Sequence, residues 1–331
     1  MISTSDPVIV LGAGLAGLTA ARTLHGAGRD VIVFDKGRGA GGRMATRRFG
    51  DGRFDHGAQF FTVREPAFAA LVERWLDTED AALWANGFAD ASGVVQTDGH
   101  PRFRGLTGMT SVPKALAEGL DVRLETRITA VRREEDVWLL ESEGGDSFRA
   151  SALLMTPPVP QTLELLVAGG VLLPPDLHAT LQSVTYAPCL ALMLLLDGPS
   201  AVPAPGGLQL MSEPVFWIGD NYQKGISPGA HALTIHGAPQ FSQDNWGADT
   251  AVIAALLMNA AEPWLGSAVR AWDLHRWRYS LPLTPLPRRF LALTDGPPLL
   301  FAGDAFGGPR VEGAALSGLA AAAALLETPV R

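Results

Sequence analysis

The stretch "VIVLGAGLAGLTAAR", Val8–Arg22, is where the reading of this chain turns. Pro7–Leu11 is a short apolar run of the kind that fills a buried strand. Gly12, Gly14 and Gly17 follow in G-x-G-x-x-G spacing, and Leu15 to about His25 keeps a helical period. "GRDVIVFDK" then supplies a second strand that ends at Asp35, with Lys36 beyond it. In this order the first glycine allows a tight turn, the second lets a pyrophosphate approach the backbone, and the third lets the helix pack on the sheet. The first helical turn, Leu15 and Ala16, offers free N–H groups and the positive end of the helix dipole to that pyrophosphate. Asp35 lies 23 residues after Gly12, where a carboxylate can accept from ribose hydroxyls. The motif predicts a bound dinucleotide and leaves NAD and FAD open.

A similar signal closes the chain. In "FAGDAFGGPRVEGAALSG", Phe301–Gly318, an apolar run stops at Gly303 and Asp304, glycines and a proline make a turn, and a small-residue helix begins near Val311. Two such elements suit one long dinucleotide. The family resemblance of the segments between and around them implies that it is FAD. With no cysteine or histidine in an attachment motif, it is expected to be bound without a covalent bond. The first element holds the pyrophosphate. At the second, Asp304 accepts from ribityl hydroxyls, and the helix start (Arg310, Val311, Glu312, Gly313 and Ala314) points N–H groups at N1 and O2 of the flavin, where charge gathers on reduction. The plainer alternative is a surface loop followed by a core helix.

Between the two lie "DKGRGAGGRMATRR", Asp35–Arg48, too rich in glycine and arginine for a core element, and "FDHGAQFFT", Phe54–Thr62. With Gly108-Met109, "WIGDNYQK" (Trp217–Lys224), "HRWRYSLP" (His275–Pro282) and the closing "RVEGAALSG", these segments resemble the flavin-containing amine oxidase superfamily, and within it the renalase branch, over nearly the whole chain. Tyr222-Gln223 and Ala305-Phe306 depart from the branch's pattern. The resemblance implies flavin contacts from Gly42, Arg43 and Met44, from His56, Gly57, Ala58 and Gln59, and an adenine contact from the Ile128 backbone. It also implies an α/β chain, α+β overall, of amine-oxidase/p-hydroxybenzoate-hydroxylase-like architecture: a Rossmann-like FAD-binding domain from residues 1–62, 104–158 and 292–331, and a substrate domain of mixed sheet plus helices from 63–103 and 159–291.

Within that plan, residues from about Val63 to Phe103 lean helical. Asp121–Pro158 alternates as strands with a hairpin at Gly144–Gly145, and "LALMLLL" and "HALTIHG" read as strands before a helix at about Thr250–Ala261.

Composition limits the partners. The chain has 331 residues, 47% hydrophobic and 18% charged, which fits about two folded domains. A net charge of -8 without a basic stripe argues against nucleic acid and anionic membrane. No apolar run spans a bilayer, no basic leader precedes the first strand, and no Cys/His spacing suits a metal. Cys189, the single cysteine, sits in "YAPCLALMLLL" and reads as a buried thiol. The chain is read as a cytoplasmic enzyme, with its oligomeric state left open. Only three residues are lysine, Lys36, Lys114 and Lys224; nearly all other positive charge is arginine.

For the branch, the resemblance implies oxidation of 2- or 6-dihydro isomers of NAD(P)H to NAD(P)+, with O2 reduced to H2O2. His275, Trp277 and Tyr279 alternate on one strand and so share a face. Trp277 and Tyr279 can wall a flat ring, or simply pack the sheet; His236 is a further, weaker pocket candidate, its plainer reading being a satisfied structural histidine. An amine oxidase and a flavin-binding protein without turnover remain the alternatives.

Overall fold

The computed structural model describes residues 6–327. The chain divides into two compact units, 1–42 with 113–185 and 282–331, and 43–112 with 186–281. The residues ahead of Asp6, on which part of the leader reading rests, lie outside the described residues.

The first unit is built on a six-stranded sheet whose strands run in the order 291–293, 299–301, 152–155, 8–11, 31–34 and 121–123. All pairs are parallel except the edge strand Leu291–Leu293. Val8–Leu11 and Ala152–Met155 are buried at every position, as expected of central strands covered on both faces. The helix Leu15–Gly26 leaves the end of the first strand, and the last helix, Arg310–Glu327, packs against it where Gly318 meets Ala16. A separate antiparallel sheet of 147–150, 137–142 and 128–134 carries the Gly144–Gly145 turn; the Trp138 indole donates to the Pro297 and Pro298 carbonyls.

The second unit holds a seven-stranded sheet in the order 269–282, 186–196, 231–237, 215–220, 207–209, 81–90 and 95–105. The helix Thr250–Ala260 covers it with Ile253, Ala254 and Leu257 in the core. Its N-cap, Asp249, accepts from the Ala251 amide at 2.8 Å. A two-stranded ribbon, Thr46–Phe49 with Gly52–Asp55, belongs to this unit.

Two expectations change. The segment read as helical is helix only over Pro66–Asp77; Ala81–Asp90 and Val95–Gly105 are paired strands. The glycine-arginine loop contains a one-turn helix, Gly42–Met44, and one strand of the ribbon. The unit boundaries also differ from the expected domains. Residues 159–185 and 282–291 fall in the first unit, because the helix Val159–Ala168 packs on the strand Ile128–Glu134. Residues 43–62 and 104–112 fall in the second, where Asp55 accepts from the Met109 amide and from Lys224.

Candidate active site

In the first unit the two glycine turns prove to be one device used twice. Gly12 has φ 102° and Gly308 has φ 140°, a left-handed region that favours glycine. The Gly12 carbonyl lies 2.0 Å from where a Cβ on Gly17 would stand, and the Gly308 carbonyl lies 1.8 Å from a Cβ on Gly313. In each case the turn presses its carbonyl onto the helix five residues later, which only glycine permits. Each turn therefore feeds a helix whose first N–H groups lack helical partners. Nothing lies within 4 Å of a Cβ at Gly14 or Gly308, so the backbone there is open to a ligand.

Asp35 ties the first turn. Its Oδ2 accepts from the Ala13 amide at 2.7 Å and its Oδ1 from the Gly37 amide at 2.6 Å. A carboxylate has about four acceptor sites, so both oxygens retain capacity for ribose hydroxyls. The loop beyond folds back, the Gly41 amide donating to the Ala13 carbonyl at 2.8 Å beside Gly42. Lys36 reaches away to Gln161. Thr126 donates to the Asp35 carbonyl and Glu125 to that of Gly37, which brings the buried Ile128 alongside. At the second turn Gly303 donates to Ser317 Oγ, Asp304 is buried, and Arg310 starts its helix at φ 75°. A left-handed non-glycine residue is strained, and such strain gathers at ligand sites. Val311, Glu312, Gly313 and Ala314 form the first turns of that helix, as Leu15, Ala16 and Gly17 do at the other. The pattern of open glycines, each followed by a helix start, fits the phosphates and ring edge of FAD.

The second unit gathers the aromatic and histidine candidates. His275 and Trp277 lie with ring centroids 4.3 Å apart, and His56 stacks on Trp277 at 5.1 Å and 29°. Tyr279 meets Tyr186 edge-on at 5.5 Å. Arg276 turns to the Ala248 carbonyl and Thr250, and Arg278 to the Trp246 ring, so the alternation read from the strand holds. The His56 carbonyl accepts from Trp277 Nε1 at 2.9 Å and from His236 Nε2 at 3.2 Å. His236 thus serves the Asp55–Gln59 turn rather than standing as an unengaged base. The Ala58 amide donates to the Arg43 carbonyl, and an Arg43 guanidinium nitrogen to the Tyr279 carbonyl; Met44 is buried beside them, its carbonyl accepting from Thr110.

Burial, with the nearby His275, Arg47 and His236, pushes the His56 imidazole down to about 3. Burial also takes His236 to about 4, helped by the charge of Lys224 and opposed by its bond to the His56 carbonyl. His275 is lowered by burial and by Arg47. At neutral pH these rings are uncharged. Cys189 is pushed up to about 12 by burial, which makes it unreactive.

Sequence reasoning passed over the pair beneath this face. The Lys224 and Asp55 side chains have no exposure, and Lys224 Nζ donates to Asp55 Oδ2 and to the Gln59 carbonyl, both at 2.5 Å. The ammonium also lies 4.7 Å from the centre of the Trp84 ring. Asp55 Oδ1 accepts from Thr46 Oγ1 and the Met109 amide, and the Asp55 amide donates to Asn221. Removing one partner of such a pair costs about 3–5 kcal/mol, since the other charge is left buried. A signal was present: a chain that otherwise uses arginine places one of its three lysines here.

Comparison with known proteins adds the following. A sequence profile described as flavin containing amine oxidoreductase matches residues 82–326, and one for an NAD(P)-binding Rossmann-like domain matches 10–75. Mouse (Mus musculus) renalase is 26% identical over 297 residues, 82% of this chain and 84% of its own length. Phytoene dehydrogenase of Streptomyces griseus is 43% identical over 102 residues, but the match spans only 28% of this chain and 20% of that protein. Among solved structures, cyclohexylamine oxidase from Brevibacterium oxydans superposes with a TM-score of 0.73 over 98% of this chain and 99% of its own, at 14% identity. Putrescine oxidase bound to putrescine gives 0.71 over 98% and 99%, at 16% identity. At these identities the two structures speak for the fold alone.

Proposed function

The chain belongs to the flavin-containing amine oxidoreductase family and takes FAD as its cofactor, and within that family we propose a renalase-type oxidase of 2- and 6-dihydro isomers of NAD(P)H. The observation that carries the reading is the face made by His56, Trp277 and His275, flat, aromatic and uncharged at neutral pH. A neutral dihydronicotinamide stacks on such a face, whereas the nearby Asp273 carboxylate is engaged by Arg47 at 2.7 Å and is not offered to an ammonium substrate. The likeness to renalase over most of both chains supports it.

The chemistry FAD supplies when bound is acceptance of a hydride at N5 and passage of the electron pair to O2, giving H2O2. Gly12–Gly17 and Asp35 hold the pyrophosphate and ribose; Asp304 and the helix start at Arg310–Ala314 hold the ribityl and ring end. Binding is non-covalent, and acid precipitation is expected to leave the yellow colour in solution. The donor becomes an aromatic pyridinium as it loses hydride, so no side chain needs to remove a proton. What the chain must do is orient. Trp277, fixed by its bond to the His56 carbonyl, sets the plane of the nicotinamide; Tyr279 bounds it. We place the protein in the cytoplasm, with O2 as electron acceptor.

Anaerobic stopped-flow mixing tests this. The 2- or 6-dihydro isomers are expected to bleach the flavin rapidly, and 4-dihydro-NAD(P)H slowly, because transfer needs the reacting atoms ~3–3.5 Å apart and one pose serves only some ring carbons. Trp277→Ala is expected to slow bleaching far more than it weakens FAD binding. Equal bleaching by all three isomers would refute the positional argument. The edge-on Tyr186–Tyr279 pair favours a second reading, an amine oxidase with aromatic walls. Rapid bleaching by amines alone would establish it, and bleaching by neither would leave a flavin protein without turnover.

A further inference from the structure

We propose that Lys224 is a positioning residue for the substrate face: clamped between Asp55, Gln59 and Trp84, its ammonium fixes the Asp55–Gln59 turn and, through the His56 carbonyl, the rings of Trp277 and His236. The inference rests on reading the His56–Trp277 face as the substrate wall.

The geometry is a chain of fixed contacts. Lys224 grips the turn at both ends, at the Asp55 carboxylate and at the Gln59 carbonyl. The Gln59 side chain closes the turn from within, its amide donating to the Asp55 and Gly57 carbonyls. Between these anchors the His56 carbonyl takes the Trp277 and His236 N–H groups. A shift of the turn therefore moves the acceptor that orients both rings.

The same charge has an electrostatic reach. His236 faces Lys224 and the His56 imidazole and carbonyl, while its cross-strand partners Ala191 and Trp217 do not titrate; Asp55 acts behind Lys224 as its counter-charge. Lys224 thus helps keep His236 neutral, with Nε2–H directed at His56.

The test uses the FAD-loaded protein and two charge-neutral double variants, Asp55→Asn/Lys224→Met and Asp55→Asn/Lys224→Gln. Neither leaves a buried unpaired charge, and the second retains a donor for the Gln59 carbonyl. Two readouts need no substrate: exchange of the Trp277 indole N–H, and the NMR titration of His236, each assigned with Trp277→Phe and His236→Gln. In the Met variant Trp277 exchange is expected to quicken by at least about tenfold, as local opening becomes easier. In the Gln variant that protection is expected to return. In both, the His236 midpoint is expected to rise above its value of about 4, while burial, the larger cause, keeps it below the ordinary value. A third readout, the limiting rate of flavin reduction by 6-dihydro-NAD(P), is expected to fall with Trp277 protection in the Met variant while KM changes less. A folded Met variant with unchanged Trp277 exchange, or a folded Gln variant that exchanges as fast as the Met variant, overturns the proposal. Wild-type protein that no dihydronicotinamide reduces refutes the substrate reading instead, and the two NMR readouts still judge the clamp.

Discussion

Asp35 is one residue asked to do two jobs, since it ties the first glycine turn through the Ala13 and Gly37 amides and has acceptor capacity left for ribose. Asp35→Ala is expected to weaken FAD binding by about 1.5–3 kcal/mol, the scale of a hydrogen bond to a charged group, with the fold retained. Titration of apoprotein with FAD measures it; equal affinity would remove Asp35 from the site. The histidines make a second prediction at this scale. His56 and His236 are held below the ordinary histidine value, so between about pH 6.5 and their folded values of about 3 and 4 the unfolded chain binds more protons than the folded one. Their contribution to stability is complete above pH 6.5 and is lost as the pH falls through that window, by up to ~1.4 kcal/mol per pH unit for each ring. Thermal midpoints between pH 7 and 4 should fall, and fall less steeply in His236→Gln. An equal slope in that variant would show that His236 is not held neutral by the fold. Asp35 could be read from sequence because its role depends on a local turn. The partners of Lys224 could not, because Asp55 is 169 residues away and only the folded sheet brings the two together.

At the scale of elements, the two strand–turn–helix units were legible because each is written in consecutive residues: an apolar strand, glycines where the backbone turns, and a helix of small residues. Gly313→Ala tests that reading. A Cβ there would meet the Gly308 carbonyl at 1.8 Å, so either the turn or the start of the helix Arg310–Glu327 must move. The expected outcome is a protein that keeps most of its helix but loses FAD affinity by at least about tenfold, a penalty of roughly 1.4 kcal/mol or more. Circular dichroism and FAD titration separate the two effects, and wild-type affinity would show that the turn is not part of the cofactor cradle. The strand pair 81–90 and 95–105 was misread for the opposite reason. "VQTDGHPRFRG" is polar and carries glycine and proline, so its local preference is for a turn. It becomes a strand by pairing with Ala81–Asp90 through two irregularities in register at the edge of the seven-stranded sheet, which is information held in the partner.

On the scale of the whole chain, each compact unit is assembled from segments distant in sequence, and this governs what can be removed. Residues 282–331 give the first unit the strands Leu291–Leu293 and Leu299–Phe301 and the helix Arg310–Glu327. Without them the strand Ala152–Met155, buried at every position, would become a bare apolar edge, and the helix Leu15–Gly26 would lose its neighbour at Ala16. Exposed apolar edges of this kind template aggregation. A chain ending at residue 281 keeps the whole first glycine motif, Gly12–Gly17 with Asp35, and on a linear view of the sequence it should still bind a dinucleotide. The topology predicts otherwise. Such a truncation is expected to be recovered mostly insoluble and, where soluble, to retain no FAD, while the full chain purified in parallel is yellow. Gel filtration and the visible spectrum of the soluble fraction decide the matter. A monodisperse truncated protein that still binds FAD would mean that the N-terminal motif is a self-sufficient module and that the closing strand, turn and helix belong to some task other than the cofactor.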